Sequence, residues 1–184
     1  VAADAYLLDT SIASIAFDAG NASHADVHRR LTELADASIS ICAVSLGEVE
    51  YGLQVSPGID PERHQLVRNN LLQYQILTID RHTGKLYGEL RGELFRKYGT
   101  RDARGRLKEK RPEDLLDRTT SWELGIQEND LWIVCVSVQY NLRFVTVDKM
   151  ERILAAAKEV HSYERAWIWS LQPVNRTDQS QRAL

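Results

Sequence analysis

Cysteine is scarce in this chain of 184 residues. The two that occur, Cys42 and Cys135, lie inside apolar segments at no spacing that a metal would use. A disulfide scaffold and a zinc module are therefore excluded, and both read as small core residues in a reducing compartment. No apolar run approaches the roughly 18 residues of a membrane helix, and no basic-then-apolar stretch opens the sequence. A cytoplasmic protein with no membrane partner is expected. Positive charge is not in excess either: 26 acidic against 23 basic residues leave a net charge of −3. That excludes a general nucleic-acid coat, so any contact with a polyanion must come from a local basic patch. Internal repeats and low-complexity linkers are missing too, which points to a single domain over 1–173 followed by a polar tail at 174–184.

What remains is an ordinary globular composition, 43% hydrophobic and 27% charged, in which short apolar runs alternate with longer helical patterns. That alternation argues for βαβ units around a parallel sheet, an α/β fold. Strands are expected at 5–8, 39–44, 74–79 and 142–147, with helices near 23–37, 45–54, 61–73, 81–97 and 130–140. Asp80 reads as the N-cap of the helix that follows it. The segment "LWIVCVSVQY" is apolar on almost every face and belongs in the middle of the domain, with Trp132 in the core.

Four acids stand where this pattern turns from one element to the next. Asp9 ends the run Tyr6-Leu7-Leu8 and precedes Thr10 and Ser11, either of which suits a helix cap. Taken alone, Asp9 is as well explained as a turn acid. Glu48 falls in the first turn of the next helix, Asp130 starts the apolar helix, and Asp148 ends the last strand. Simple lengths bring the last two together. About eleven helical residues descend ~17 Å at 1.5 Å each, and six strand residues climb back ~20 Å at 3.3 Å each. The handedness of βαβ crossovers puts Asp9 and Glu48 on the same rim, the side where open α/β sheets bind ligands.

Four carboxylates on one rim repel one another unless a cation joins them. Mg²⁺ or Mn²⁺, hard ions with oxygen ligands, suits the set, and such a site suits hydrolysis of a phosphodiester. Asp9 and Asp130 are expected as direct metal ligands, with Asp148 joined more loosely through water. Thr146 shares the strand face of Asp148 and is either a supporting group or an ordinary β-branched residue. Thr10 is either a cap or a supporting group.

The stretches "YLLDTSIA", "AVSLGEVEYGL" and "NDLWIVCVSVQYNLRFVTVDKMERI" resemble the motifs of PIN domains, especially those of VapC-type ribonuclease toxins. The order of acids matches, as do Glu-x-x-Tyr-Gly (Glu48, Tyr51, Gly52) and Thr-x-Asp (Thr146, Asp148), across about 6–153. The resemblance implies a three-layer α/β/α fold on a mostly parallel sheet of four to five strands. It implies a Mg²⁺- or Mn²⁺-dependent endoribonuclease whose catalytic quartet falls on Asp9, Glu48, Asp130 and Asp148. It also implies a homodimer and often a cognate antitoxin. Glu50, two residues past Glu48, is expected to point elsewhere on the surface. An RNA-processing nuclease without an antitoxin, or a non-catalytic RNA- or partner-binding module on the same fold, are the alternatives. Aspartyl-phosphate chemistry fits poorly, because Ser11 stands where a phosphatase would carry a second Asp.

One stretch departs from the family's compact form. Residues 96–118 hold nine basic and five acidic residues among 23, inside an insertion at about 96–121. Either Arg101, Arg104, Arg106, Lys108, Lys110 and Arg111 grip RNA phosphates, or the segment is a solvated charged loop. Trp122, Trp167 and Trp169 are open to base stacking, although Trp167 and Trp169 alternate as in a half-buried strand and suit packing better.

Overall fold

A strand covered on both faces must be apolar on both, and β1 (Ala5–Leu8) meets that demand. Leu7 points into one core while Tyr6 and Leu8 point into the other. The computed structural model of the chain describes residues 4–34, 36–56, 58 and 60–171, so the expected tail at 174–184 lies outside the described residues. After β1 come α1 (Thr10–Phe17), α2 (His24–Glu33), β2 (Ser38–Cys42), α3 (Ala43–Val55), α4 (Pro61–Leu71) and β3 (Gln75–Leu77). Then follow α5 (Arg81–Tyr98), a 3₁₀ turn at Pro112–Asp114, α6 (Glu128–Gln139), β4 (Arg143–Thr146), α7 (Glu151–His161) and β5 (Ala166–Ile168).

All strand pairs are parallel, in the order β3-β2-β1-β4-β5. The chain thus starts in the middle of the sheet, builds outward through β2 and β3, and returns to place β4 on the other side of β1. The crevice between the carboxyl ends of β1 and β4 is the topological switch point, where such sheets bind ligands. Helices α5, α6 and α7 cover one face around Leu7, Leu90, Leu94, Ile133 and Phe144. Helices α1, α2 and α4 cover the other around Leu8, Ile12, Val27, Leu71 and Val145. The result is the expected three-layer α/β/α architecture, with five strands. Both cysteines are free and buried, and no helix among the described residues is long and apolar enough to cross a membrane.

Several local expectations change. Val44 is helical, because β2 has its last β1 partner at Ile41 and α3 starts directly after Cys42. That earlier start puts Glu48 in the second turn of α3. Residues 151–161, given no element above, form α7, whose Ile153, Ala156 and Ala157 make a buried stripe at helical spacing. Trp132 is half-buried instead of core, lying flat on Tyr87 with ring centroids 3.7 Å apart. Asp80 caps α5 as expected, within a reciprocal capping box with Thr83. Trp169 is buried, and Trp167, on β5, stands edge-on to it and is 40% exposed.

Candidate active site

Asp9 occupies the N-cap position of α1, yet its carboxylate makes no capping hydrogen bond. Its backbone amide continues the sheet by donating to the Val145 carbonyl at 2.9 Å. The side chain is buried. Its Oδ2 accepts from Ser11 Oγ at 2.7 Å and from Thr146 Oγ1 at 2.8 Å. Burial pushes the Asp9 carboxyl above its ordinary range, against the opposing pull of these two hydroxyls. Thr146 also accepts from the Asp148 amide at 2.9 Å, so one hydroxyl ties the ends of β1 and β4 together. Neither Thr10 nor Ser11 is the helix cap. Thr10 instead donates to Glu48 Oε2.

The other oxygen of Glu48 accepts from Asn129 Nδ2 at 2.8 Å, across the gap between α3 and α6. Asp130, in the first turn of α6, has no such neutral support among the described residues. Its carboxyl is pushed up to about 7, first by burial and then by the negative charges of Asp9, Glu48, Asp148 and Glu113. A cavity of about 680 Å³ is lined by Asp9, Glu48, Asp130, Asp148, Asn129 and the exposed ring of Tyr51, among others. The fold therefore brings all four acids to one place. Among the described residues, no three acidic, histidine or cysteine side chains stand ready-assembled around a single point as an ion cage, and Asp148 is exposed in the bend after β4. An all-oxygen donor set, short of positive charge and with room for water, fits Mg²⁺ or Mn²⁺, because such ions take one or two carboxylates and keep several waters.

Ser11, Asn129 and Glu113 escaped the reading of the sequence. Ser11 stands two residues past Asp9 and Asn129 adjoins Asp130, so proximity in sequence was an available signal. Glu113 had none, since it arrives from the insertion, where its Oε1 accepts from the Glu128 amide at 2.8 Å. Glu50 points away, as expected, into a two-point ion pair with Arg68 on α4, at 2.7 and 2.9 Å.

The insertion is an ordered structure. Leu115 within it, and Leu124 and Ile126 just after it, are buried in the α5–α7 core, and two short antiparallel bridges, Arg101 with Leu107 and Leu116 with Glu123, fold the segment on itself. Several of its bases are occupied within it. Arg106 is held by Asp102 at 2.9 Å and Arg111 by Asp114 at 3.1 Å, while Arg101 donates to the Gly105 carbonyl at 2.6 Å.

The fold has counterparts among known proteins. The family model described as PIN domain matches residues 6–159. No curated protein matches the chain. Among solved structures, a chain of the VapBC2 complex from Rickettsia felis, bound to a promoter DNA fragment, is similar at 24% identity with a TM-score of 0.61. The match covers 90% of this chain and 99% of that one. A chain of the DNA-bound VapBC complex from Salmonella typhimurium is similar at 18% identity and a TM-score of 0.60, covering 91% and 99%. A chain of VapBC-5 from Mycobacterium tuberculosis follows at 19% and 0.51, covering 90% and 98%. At these identities the likeness is one of fold. The family match, running from β1 almost to the end of α7 and taking in all four acids, makes this chain a member of the PIN domain family.

Proposed function

We propose that the protein is a divalent-metal-dependent endoribonuclease and the toxin of a toxin–antitoxin pair. One observation carries the nuclease reading. Asp9 and Asp130 are both held at the sheet's switch point with raised carboxyl pKa values. A fold gains nothing from such crowding unless a cation joins it. Asp9 and Asp130 would hold Mg²⁺ or Mn²⁺ directly, and Asp148 through water. The bound ion would supply a hydroxide from its water and screen the scissile phosphate. The chain's own residues do the rest. Ser11 and Thr146 fix the rotamer of Asp9, and Thr146 also holds the Asp148 amide. Thr10 and Asn129 hold one oxygen each of Glu48, leaving a lone pair on both to orient the attacking water.

The toxin reading draws on the fold shared with chains of VapBC complexes, and it implies an antitoxin partner and work in the cytoplasm. A homodimer is supported by exposed apolar side chains on α3 (Tyr51, Val55) and α4 (Leu66), with Leu72 just beyond. Exposed apolar side chains on these helices suit a two-fold contact. Pooled cellular RNA incubated with the purified protein, with Mn²⁺ or with EDTA, tests the reading. Discrete new ends in Mn²⁺ alone support it, and identical RNA profiles in the two conditions overturn it.

A further inference from the structure

The insertion ends in a hairpin built with some care. The Asp117 amide donates to the Trp122 carbonyl and the Ser121 amide to the Asp117 carbonyl, both at 2.8 Å. The Asp117 side chain accepts from the amides of Thr119 and Thr120 at 2.9 and 2.8 Å. Below the tip, the Leu124 amide donates to Leu115, and both side chains are buried. On the outgoing arm, directly after the turn, Trp122 is 78% exposed. Among the described residues no aromatic ring or cation covers it. A tryptophan ring left in water keeps both faces open to a flat partner.

The hairpin stands beside the acidic cleft. Its outgoing arm, Leu124 to Ile126, shares a cavity of about 310 Å³ with Lys149 to Ile153, the residues directly after Asp148. Arg152 donates to the Leu124 carbonyl at 2.9 Å and fixes the two against each other. On the incoming side Glu113 contacts the start of α6, within a turn of Asp130. The insertion is thus attached next to both acids. Without its ion the cleft is acidic and repels a phosphate backbone, so a grip outside it helps to hold a substrate strand. Around Trp122 stand the polar Thr119, Thr120, Ser121 and Glu123, with Leu116 across the hairpin as a part-exposed apolar neighbour, which makes no wide apolar patch. A lone flat ring in a polar setting suits stacking on a base better than burial under a protein.

We propose that Trp122 is a stacking platform for one unpaired base of the RNA, on the hairpin that is attached next to the acidic cleft. This inference rests on the nuclease reading. Binding of labelled single-stranded oligouridine and of duplex RNA, measured in EDTA so that nothing is cut, tests it on the full chain. Base–aromatic stacking is worth ~1–3 kcal/mol, so Trp122→Ala should weaken single-strand binding about fivefold or more. Trp122→Phe should keep most of the affinity, and duplex binding should not change. An abasic scan along the oligonucleotide should find one position that weakens wild-type binding and has no effect on Trp122→Ala. Thermal melting checks that both variants are folded. Single-strand affinities within twofold for wild type and Trp122→Ala overturn the platform, as does a variant that keeps RNA binding but loses association with a protein partner. Failure of the wild type to cut any RNA in Mn²⁺ would instead remove the nuclease reading on which the platform depends.

Discussion

The hydroxyl of Thr146 offers a sharp probe of the cleft, because one atom serves two partners. It donates to Asp9 Oδ2 at 2.8 Å and accepts from the Asp148 amide at 2.9 Å, with Thr146 and Asp9 both buried. Thr146→Val keeps the shape of the side chain and deletes both bonds. A hydrogen bond to a charged group contributes about 1.5–3 kcal/mol, and for a domain of this size each kcal/mol moves Tm by about 2–4 °C. The metal-free variant should therefore melt roughly 3–12 °C lower. The low end is favoured at acid pH, where protonated Asp9 carries no buried charge. The larger consequence concerns the metal. Loss of a group that orients a ligand typically costs about 10- to 100-fold in metal affinity. Burial raises the Asp9 carboxyl while Ser11 and Thr146 hold it down. Removing one hydroxyl lets it rise further, so the onset of Mn²⁺ binding should move to higher pH. Titration calorimetry with Mn²⁺ at several pH values measures both effects, and Thr146→Ser, which keeps the hydroxyl, should stay close to wild type. A folded Thr146→Val protein that binds Mn²⁺ within twofold of wild type would show that this hydroxyl orients no metal ligand.

Three further outcomes are expected. Asp130, pushed up to about 7 from 3.8, contributes stability to the metal-free fold that is full below about pH 4 and lost as pH rises to about 7. Relative to Asp130→Asn, metal-free wild type should lose Tm across that window, and Mn²⁺ should flatten the loss; parallel melting profiles would contradict this. Val55 and Leu66 are exposed on α3 and α4, so sedimentation at roughly tens of micromolar should show a dimer that Val55→Glu with Leu66→Glu converts to monomer, whereas a monomeric wild type would remove the dimer. In the insertion, replacing Arg104, Lys108 and Lys110 with Ala should flatten the dependence of log RNA affinity on log salt by up to about 0.7 per lost contact. Arg106→Ala should do less, because Asp102 already occupies that guanidinium, and an unchanged slope in the triple variant would return the segment to the solvated surface.

Much of the fold was legible because apolar periodicity is a local signal. Leu7 and Leu8, Ile41 and Cys42, and Phe144 and Val145 announce strands covered on both faces, and the parallel sheet follows from the helices between them. The four acids were legible because each sits at a junction between elements, and junctions on one rim converge. Boundaries were less so: α3 begins at Ala43 because β2 runs out of partner, a fact about register that no window of sequence contains. Helix α7 was passed over although Ile153, Ala156 and Ala157 keep helical spacing, since small alanines give a faint apolar stripe. The contacts that tune the site were the least legible. Asn129 reaching Glu48, and Glu113 reaching the start of α6, join residues whose sequence separation carries no pattern. The order of the insertion was hidden as well, because its charge count conceals that Leu115, Leu124 and Ile126 anchor it in the core.

The crowded carboxylates at the end of β1 and the start of α6 are proposed to hold the ion that cuts RNA. The most direct test is cleavage of one defined RNA in Mn²⁺ by wild type and by Asp9→Asn, purified alike and shown by melting to be folded. Asp9→Asn preserves size and removes the charge of the most buried of the four acids. Wild type should cleave in Mn²⁺, and the variant should not cleave above a no-protein control. Substantial cleavage by folded Asp9→Asn would contradict this metal-holding role.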